Sequence, residues 1–266
     1  MKPSDSHSHN RAAWDRLAKI KNRLALPARD EDFHDPLASV DGPGWLGNDI
    51  RGQNVLCLAA GGGRQGPIYA AAGAHVTVVD ISPAMLELDR EVAAERGFKI
   101  RTVEASMDHL PGLRDAEFDI VIHPVSTCYV PDLRPVYAEV ARVLRPGGIY
   151  ISQHKQPTSL QTSLQPKSHS EGAGYVVQHG CYSNQPLPIS RNNNLIREDG
   201  TLEWVHRWEA LLGAMCRAGL FIEDLTEPMH AKKEAEPGAF GHRAQYVPPY
   251  VRVKARRAGT TTKLLV

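Results

Sequence analysis

The sequence predicts an α/β fold with a doubly wound, mostly parallel sheet. Residues 55–58, Val-Leu-Cys-Leu, are an apolar run of the length of a buried parallel strand. A glycine-rich turn and an alanine-rich segment follow, and a second apolar run over 76–79 ends at Asp80. A strand, a glycine turn, a helix and a strand with a terminal acid form the first half of a nucleotide-binding sheet.

The glycine turn indicates where a ligand binds. Gly61, Gly63 and Gly66 match the G-x-G-x-x-G fingerprint, and Asp80 lies 19 residues after Gly61. Glycine lets the backbone approach a ligand closely, and the next helix directs its N-terminal N–H groups at the same place. An acid at position 80 can accept hydrogen bonds from both hydroxyls of a ribose. We therefore expect a nucleoside-containing cofactor, and a plain turn without a ligand is the alternative.

The second half of the sheet follows from a later, equally regular segment. Residues 118–122, Phe-Asp-Ile-Val-Ile, predict a strand that ends at His123. A helix is expected over about 133–144, because apolar side chains recur there at helical spacing. The Arg-Pro-Gly-Gly sequence at 145–148 should end this helix, and the next strand should begin at Ile149.

The C-terminal region predicts a helix and two strands. Residues 202–218 form an amphipathic pattern that ends at Gly219, a common residue after a helix C-terminus. Apolar runs at 220–225 and 247–255 predict the strands. The helix side chains expected to face inward are Trp204, Trp208, Leu211, Leu212 and Met215.

Residues 118–151, FDIVIHPVSTCYVPDLRPVYAEVARVLRPGGIYI, resemble the region after the cofactor turn in class I S-adenosylmethionine-dependent methyltransferases with a type 11-like domain. The resemblance covers residues 50–153 and resumes at the C-terminus. It implies a Rossmann-like, seven-stranded, mostly parallel sheet that an antiparallel C-terminal hairpin closes, with S-adenosyl-L-methionine as the cofactor. Two positions depart from the family pattern, because Cys57 replaces an acid of the first strand and Ala59 replaces the first glycine of the turn.

The expected positions of polar side chains at strand ends give candidate site residues. His123, which is expected to end a strand at the reacting edge, is the candidate general base, and Tyr129 and His154 are further catalytic candidates. A base is needed only where the acceptor carries a proton, so a structural role for His123 remains open. The residues expected to contact the cofactor are Ala59, Ala60, Gly61, Gly63, Asp80, Ile81, Met85, Ser106, Met107 and His123.

The remaining segments suggest two elaborations of this domain. Residues 1–45 are expected to form a polar tail, disordered over Met1–His9, and a helix over 10–26. The Asn10-Arg11-x-x-Trp14-Asp15 sequence resembles family helices that lie across the cofactor cleft as a lid, and ordinary helix packing is the alternative. The methyltransferase domain should cover 46–266, with a cofactor half at 50–153. The helix side chains expected on one face are Trp14, Leu17, Ile20 and Leu24.

Residues 154–201 are rich in Ser, Gln, Pro and Asn and show little periodicity. A loop of this length is unusual in a compact domain unless it is functional, and this one leaves the edge of the sheet where ligands bind. We interpret it as a substrate cap with a short hairpin between 175–177 and 187–189. A surface insertion unrelated to the substrate is the alternative.

Composition limits the possible partners. The formal charge is +1, from 31 basic and 30 acidic residues, so no strong field attracts nucleic acid or an anionic membrane. The four cysteines show no C-x-x-C pairing, which argues against a metal site and a disulfide framework. No apolar run is long enough to cross a membrane, and we expect a cytoplasmic monomer or homodimer that acts on a small-molecule methyl acceptor.

Two other functions are compatible with the glycine turn. An NAD-dependent oxidoreductase would use the same fingerprint and Asp80, but it would leave the Leu-Arg-Pro-Gly-Gly sequence unexplained. A non-catalytic nucleoside-binding scaffold is compatible with the departures at Cys57 and Ala59. Thermal stabilisation by S-adenosylhomocysteine or by NAD would distinguish these functions.

Overall fold

The computed structural model describes residues 3–169, 172–191 and 196–259. A seven-stranded sheet forms its centre, and two short strands pair separately. In chain order the strands are β1 (Asn54–Leu58), β2 (His75–Asp80), β3 (Ile100–Glu104), β4 (Phe118–His123), β5 (Leu144–Lys155), β6 (Lys167–His169), β7 (Gly172–Gly174), β8 (Leu220–Thr226) and β9 (Tyr250–Arg257).

Helices alternate with the strands in the first half of the chain. None of those in the described ranges is both long and apolar enough to span a membrane. They are α1 (Pro3–Lys19), α2 (Pro36–Val40), α3 (Gln65–Ala71), α4 (Pro83–Glu95), α5 (Arg134–Val143), α6 (Pro157–Gln161), α7 (Ala214–Arg217) and α8 (Phe240–Arg243). Three 3₁₀ helices cover Arg23–Ala25, Asp30–Phe33 and Thr127–Tyr129, and a π-helix, Glu209–Gly213, continues into α7.

The strand order is β3-β2-β1-β4-β5-β9-β8. The first five strands pair in parallel, whereas β9 is antiparallel to both β5 and β8. The predicted sheet and its closing hairpin are therefore confirmed. Because the order reverses between β1 and β4, the carboxyl ends of these strands flank the crevice where ligands bind in doubly wound sheets.

Apolar side chains cover both faces of the sheet. In β1, Leu56 and Leu58 belong to the core that includes α5, while Val55 and Cys57 belong to the core that includes Tyr69 of α3. Strand alternation explains this division, because successive side chains point to opposite faces. Cys57 is fully buried and behaves as a small apolar residue.

The N-terminal helix begins earlier than the sequence predicts. Helix α1 starts at Pro3, so the expectation of a disordered tail over Met1–His9 is wrong for the described residues, and Met1 and Lys2 lie outside them. Its polar side chains are ordered by partners on the domain, such as Asp108, whose Oδ2 lies 3.0 Å from His7 Nε2. The helix ends at Lys19, and Ile20 is 63% exposed rather than packed inward.

Two C-terminal elements also differ from the expectation. Strand β5 begins at Leu144, so residues 145–148 belong to the strand, with an irregular register opposite β4. Residues 202–207 are not helical, because their backbone bonds to other segments: the Trp204 N–H donates to the Cys128 carbonyl at 2.8 Å. Trp208, expected to face inward, is 40% exposed.

The segment over 154–201 contains a different hairpin from the predicted one. The antiparallel pair is β6 with β7, and Val177 only bridges to Thr162. Residues 187–189 are not a strand, although the Leu187 N–H donates to the Glu203 carbonyl at 2.7 Å. The division of the chain into lid, cofactor half and cap stays a prediction.

Candidate active site

A cavity of about 200 Å³ lies at the carboxyl ends of β1 and β2 and beside the segment after β4. Its walls come from the glycine turn, from the ends of these strands and from α1. The structure brings together eight of the predicted cofactor residues here, and Tyr129 with them. The eight residues are Ala59, Ala60, Gly61, Asp80, Ile81, Met85, Ser106 and Met107.

Close packing explains why glycine occupies the turn. A Cβ on Gly61 would lie 2.8 Å from Met85 Cβ and 3.0 Å from Asp80 Oδ2, so no side chain fits there. A Cβ on Gly63 would lie 2.8 Å from the backbone oxygen of Leu88 on α4. Gly63 does not line the cavity, and its place in the turn is explained by packing against α4.

Asp80 is a buried carboxylate on the cavity wall. Its Oδ2 accepts the Gly61 N–H at 2.9 Å, and its Oδ1 accepts the Ser82 N–H at 2.9 Å. Burial raises the pKa of Asp80 to about 6, against the effect of these backbone hydrogen bonds. Each carboxylate oxygen accepts more than one hydrogen bond, so Asp80 can still receive the hydroxyls of a ligand.

Helix α1 forms the roof of the cavity through His7, Asn10 and Trp14, which share one helix face. The Asn10 side-chain amide donates to the Tyr129 and Leu202 carbonyls at 3.0 and 3.1 Å, and its oxygen accepts the Leu202 N–H at 2.8 Å. Sequence reasoning missed His7 as a cavity residue, whereas the helix that contains Asn10 and Trp14 was expected across the cleft. The position of His7 two turns before Trp14 is the signal that could have identified it.

His7 also contacts the end of the cavity near Ser106. Its Nε2 lies 3.0 Å from Asp108 Oδ2 and 3.4 Å from the Ser106 hydroxyl. The hydrogen bond to Asp108 raises the pKa of His7, although burial opposes it. Burial alone would raise the pKa of Asp108, but the His7 and Ser106 hydrogen bonds hold it below its ordinary value. This pair connects α1 to the segment that follows β3.

The predicted base, His123, does not line this cavity. Its Nδ1 lies 2.7 Å from the Tyr150 hydroxyl, and its Nε2 has no hydrogen-bond partner among the described residues. Burial lowers the pKa of His123 to about 3, and the neighbouring His154 adds to the shift. The imidazole is therefore neutral at physiological pH.

His154 does not line this cavity either. Its Nδ1 is 2.9 Å from the Thr127 hydroxyl and its Nε2 is 2.8 Å from the Ser152 hydroxyl. Burial lowers the pKa of His154 to about 3. Both ring nitrogens therefore have hydrogen-bond partners inside the protein. This arrangement favours a structural role for His154 over a catalytic one.

A second cavity of about 280 Å³ adjoins the ends of β4, β5 and β9. It shares Arg64, Gln65 and Pro124 with the first cavity, so the two are neighbours along the same edge of the sheet. Arg64 is held by Asp32, with N–O distances of 2.8 and 3.0 Å. The other polar side chains that line the second cavity include Ser39, Asp41, Tyr69, His123, Gln153 and Arg252.

Comparisons with known proteins agree on one family. A family model described as a methyltransferase domain matches residues 56–152. An uncharacterized methyltransferase of Bacillus subtilis (strain 168) is 33% identical over 234 residues, which are 83% of this chain and 89% of the relative. The chain belongs to the class I S-adenosylmethionine-dependent methyltransferases.

Solved structures share the fold of this methyltransferase. An S-adenosylmethionine-dependent methyltransferase of Mesorhizobium loti has a TM-score of 0.64 at 22% identity, over 80% of this chain and 94% of its own. A 1,6-didemethyltoxoflavin-N1-methyltransferase of Burkholderia thailandensis, with bound 1,6-didemethyltoxoflavin and S-adenosylhomocysteine, has a TM-score of 0.59 at 17% identity, over 97% and 91% of the two chains. At these identities the likeness shows the fold alone.

The family also decides the nature of the cofactor. This methyltransferase is an enzyme that uses S-adenosyl-L-methionine, and an NAD-dependent oxidoreductase or a non-catalytic scaffold is not favoured. The first cavity has the chemistry that this cofactor needs: a buried carboxylate for its ribose, and the aromatic rings of Trp14 and Tyr129, which can contact a sulfonium. The two rings meet edge to face at 5.7 Å.

Proposed function

We propose that this methyltransferase transfers a methyl group from S-adenosyl-L-methionine in the first cavity to a small polar molecule in the second. The contact between the two cavities at Arg64, Gln65 and Pro124 carries this proposal. A methyl donor and its acceptor must lie next to each other for transfer, and ligands bind at this edge of a doubly wound sheet. The neighbour solved with 1,6-didemethyltoxoflavin acts on a small molecule and supports this acceptor class.

In the first cavity, the chain binds and orients the cofactor. Asp80 accepts the ribose hydroxyls, the backbone at Ala60 and Gly61 contacts the amino-acid part, and Ser106 and Met107 lie at the adenine. Helix α1 excludes water through Asn10 and Trp14. When bound, the cofactor supplies an activated methyl group whose leaving thioether is neutral. Alignment of the reacting atoms is then the main contribution of the protein, worth about 7–11 kcal/mol in favourable cases.

On the acceptor side, the chain supplies polar walls. Arg252 donates a hydrogen bond from Nε to Gln153 Oε1 at 2.6 Å. Its two terminal nitrogens make no side-chain hydrogen bond in the described part of the chain. They favour an acceptor that presents an oxygen atom to Arg252. Asp41 is occupied by the N–H groups of Trp45 and Leu46, at 2.9 and 2.6 Å, so it stabilises the wall of the cavity.

The role of His123 follows from its burial. An effective general base has a pKa near the working pH, whereas burial lowers the pKa of His123 to about 3. We propose that His123 fixes the end of β4 beside the acceptor through its bond to Tyr150 and does not remove a proton. Catalysis by a general base at His123 is the alternative, and the pH dependence of the rate distinguishes the two.

We also propose that residues 154–201 limit access of the acceptor without forming the wall of either cavity. Two buried anchors hold the ends of this segment. Arg243 donates to the carbonyls of Ser159 and Ser163, and Lys155 Nζ bonds Glu198 and Glu203. Limited proteolysis should therefore cut first between the anchors, over 176–190, and bound acceptor should slow that cleavage. Initial cleavage near an anchor would contradict this proposal.

A tryptophan at Ser39 tests the acceptor site. Ser39 is an exposed residue on the second cavity and does not line the first, so the substitution S39W fills the acceptor space alone. With methyl-labelled cofactor and a cell extract of small metabolites, we expect wild-type protein to label a small molecule. The labelling rate of S39W should be at least about tenfold lower than that of the wild type. A displacement of a reactant by ~1 Å can already lower the rate by this factor.

The matched control is E95W, on the exposed end of α4 and away from both cavities. It should retain wild-type activity, and both variants should bind S-adenosylhomocysteine normally. Full activity of S39W would place the acceptor elsewhere. Labelling of protein or nucleic acid in place of a small molecule would overturn the proposed acceptor class.

A further inference from the structure

Asp89 is a fully buried carboxylate beneath the glycine turn. It lies on α4, and its Oδ2 accepts the Gly62 N–H at 2.8 Å. The same N–H lies 3.0 Å from the Met85 carbonyl, so the Gly62 N–H is shared between two acceptors of α4. The other oxygen, Oδ1, has no hydrogen-bond partner among the described residues.

The carboxylate also lies close to the start of α3. A Cβ on Gly66 would lie 3.0 Å from Asp89 Oδ1, so the helix can approach this closely only with glycine at that position. Burial and the charge of Asp89 together raise the pKa of the Cys57 thiol, and both side chains are fully buried. Asp89 thus lies beneath the turn and beside the start of α3.

A buried charge of this kind reduces the stability of the fold. Burial raises the pKa of Asp89 to about 7, and the charge of Asp80 adds to the shift, while the turn backbone and Arg90 oppose it. Transfer of an ionised carboxylate into the protein interior is unfavourable unless hydrogen bonds compensate it, and Oδ1 has none. The requirements of folding alone do not explain an acid at this position.

We propose that Asp89 is the positioning residue of the glycine turn, in place of the acid that the family pattern puts at Cys57, and that protonation of Asp89 weakens cofactor binding. The proposal rests on the placement of the cofactor in the first cavity. When ionised, Asp89 holds the Gly62 N–H through a charge-assisted hydrogen bond, which is stronger than a neutral one. Gly62 has a φ of +122° and lines the cavity, so a weaker bond there moves the cavity wall.

The pH dependence of stability has the opposite sign to that of binding. Because the pKa of Asp89 is raised in the folded protein, its contribution to stability is present at low pH and is lost as the pH rises through about 7. Cofactor affinity should instead increase over the same range. A residue that serves folding alone would not show these opposite trends.

Calorimetric titration with S-adenosylhomocysteine tests the proposal. D89A should bind about tenfold more weakly at about pH 8, and D89N, which keeps a neutral acceptor, should bind about threefold more weakly. In wild-type protein the affinity should increase between about pH 6 and 8, and D89N should lose the part of this increase that is centred near 7. The control E91Q, an exposed substitution on the same helix, should bind and titrate like the wild type.

A double variant tests whether an acid in the first strand can replace Asp89. C57D/D89A returns the acid to the first strand and should regain most of the affinity for S-adenosylhomocysteine that D89A loses.

The melting temperature of D89N at about pH 8 should equal or exceed that of the wild type, because a buried charge is removed. Wild-type affinity of D89N across this pH range, or C57D/D89A binding no better than D89A, would overturn the proposal. Since D89N is isosteric, its result is decisive even where D89A does not fold.

Discussion

Asp80 is a buried carboxylate of the first cavity and the proposed acceptor for the ribose hydroxyls of the cofactor. Its two oxygens already hold the turn and the start of α4, and its pKa is raised to about 6, chiefly by burial. The ionised form, which accepts hydroxyl groups, therefore dominates only above that pH. Its contribution to folding stability has the reverse dependence and is lost as the pH rises through about 6.

We predict that D80N weakens S-adenosylhomocysteine binding by at least about tenfold, because two charge-assisted hydrogen bonds to the ribose become neutral ones. In the wild type, affinity should also fall below about pH 6, and D80N should not show this fall. Calorimetry over this pH range measures both effects. The control is D115N, at an exposed side chain that lines neither cavity, and equal binding by D80N and D115N would exclude Asp80 from the ribose site.

A second residue-scale prediction concerns His123. If the imidazole only positions β4, H123Q should lower kcat by less than about a hundredfold, because general-base catalysis contributes about 10²–10⁴. The profile of kcat against pH should keep its shape in H123Q. The measurement is the initial rate with an acceptor identified by the labelling experiment. An acid limb near neutral pH that disappears in H123Q would restore His123 as the base.

At the scale of elements, α1 is held over the cavity by polar contacts. Asn10 makes three hydrogen bonds to Tyr129 and Leu202, and Asp15 accepts the Ser82 hydroxyl at 2.6 Å. Ser82 also caps α4 by accepting the Met85 N–H at 3.1 Å. The position of the roof is therefore linked to the helix that supports the glycine turn.

N10A should loosen this roof without unfolding the sheet. The substitution leaves the Leu202 N–H and carbonyl without their hydrogen-bond partner. Each such group costs about 1–3 kcal/mol of stability where it stays buried. We expect faster dissociation of S-adenosylhomocysteine and about three- to tenfold weaker binding. Stopped-flow displacement measures the rate, and K19A, at the exposed end of the same helix, is the control. Unchanged dissociation in N10A would mean that α1 does not cover the bound cofactor.

Elements with a strong local pattern could be predicted, whereas elements that depend on distant partners could not. The turn after β1 and the helix over Arg134–Val143 follow from glycine and apolar spacing within one segment. The start of α1 depends on Asp108, far along the chain, and the extended course of 202–207 depends on the backbone at Cys128. The second cavity was not predicted, because its residues come from five separated segments.

The same reasoning applies to the candidate site residues. The position of Asp80 at the end of a strand is visible in the sequence, because its side chain lies where the strand ends. The burial of His123 and His154 is not visible, because it depends on Tyr150, Ser152 and Thr127 packing around the two rings. A prediction from residue type alone assumes a pKa near neutral for both histidines, whereas burial lowers the pKa of each to about 3.

At the scale of the whole molecule, the charge and the cavities favour a small ligand. The formal net charge is +1, so no strong field attracts a polyanion, and the residues of one chain line two adjoining cavities. We therefore expect the monomer and the homodimer to be equally competent for cofactor binding. Light scattering combined with binding measurements at several protein concentrations checks this expectation.

Ligand-dependent thermal stability tests the cofactor for the complete chain. A ligand that binds only the folded state stabilises it by about 2.7 kcal/mol at about a hundred times its Kd. For a protein of this size, that corresponds to an increase in melting temperature of about 5–10 °C. S-adenosylmethionine and S-adenosylhomocysteine should produce this increase, and NAD should produce none, because the family uses S-adenosyl-L-methionine and both adenosyl ligands share its ribose and adenine. Stabilisation by NAD alone would contradict the assignment. D80N, which removes the proposed ribose acceptor, should reduce the increase from both adenosyl ligands.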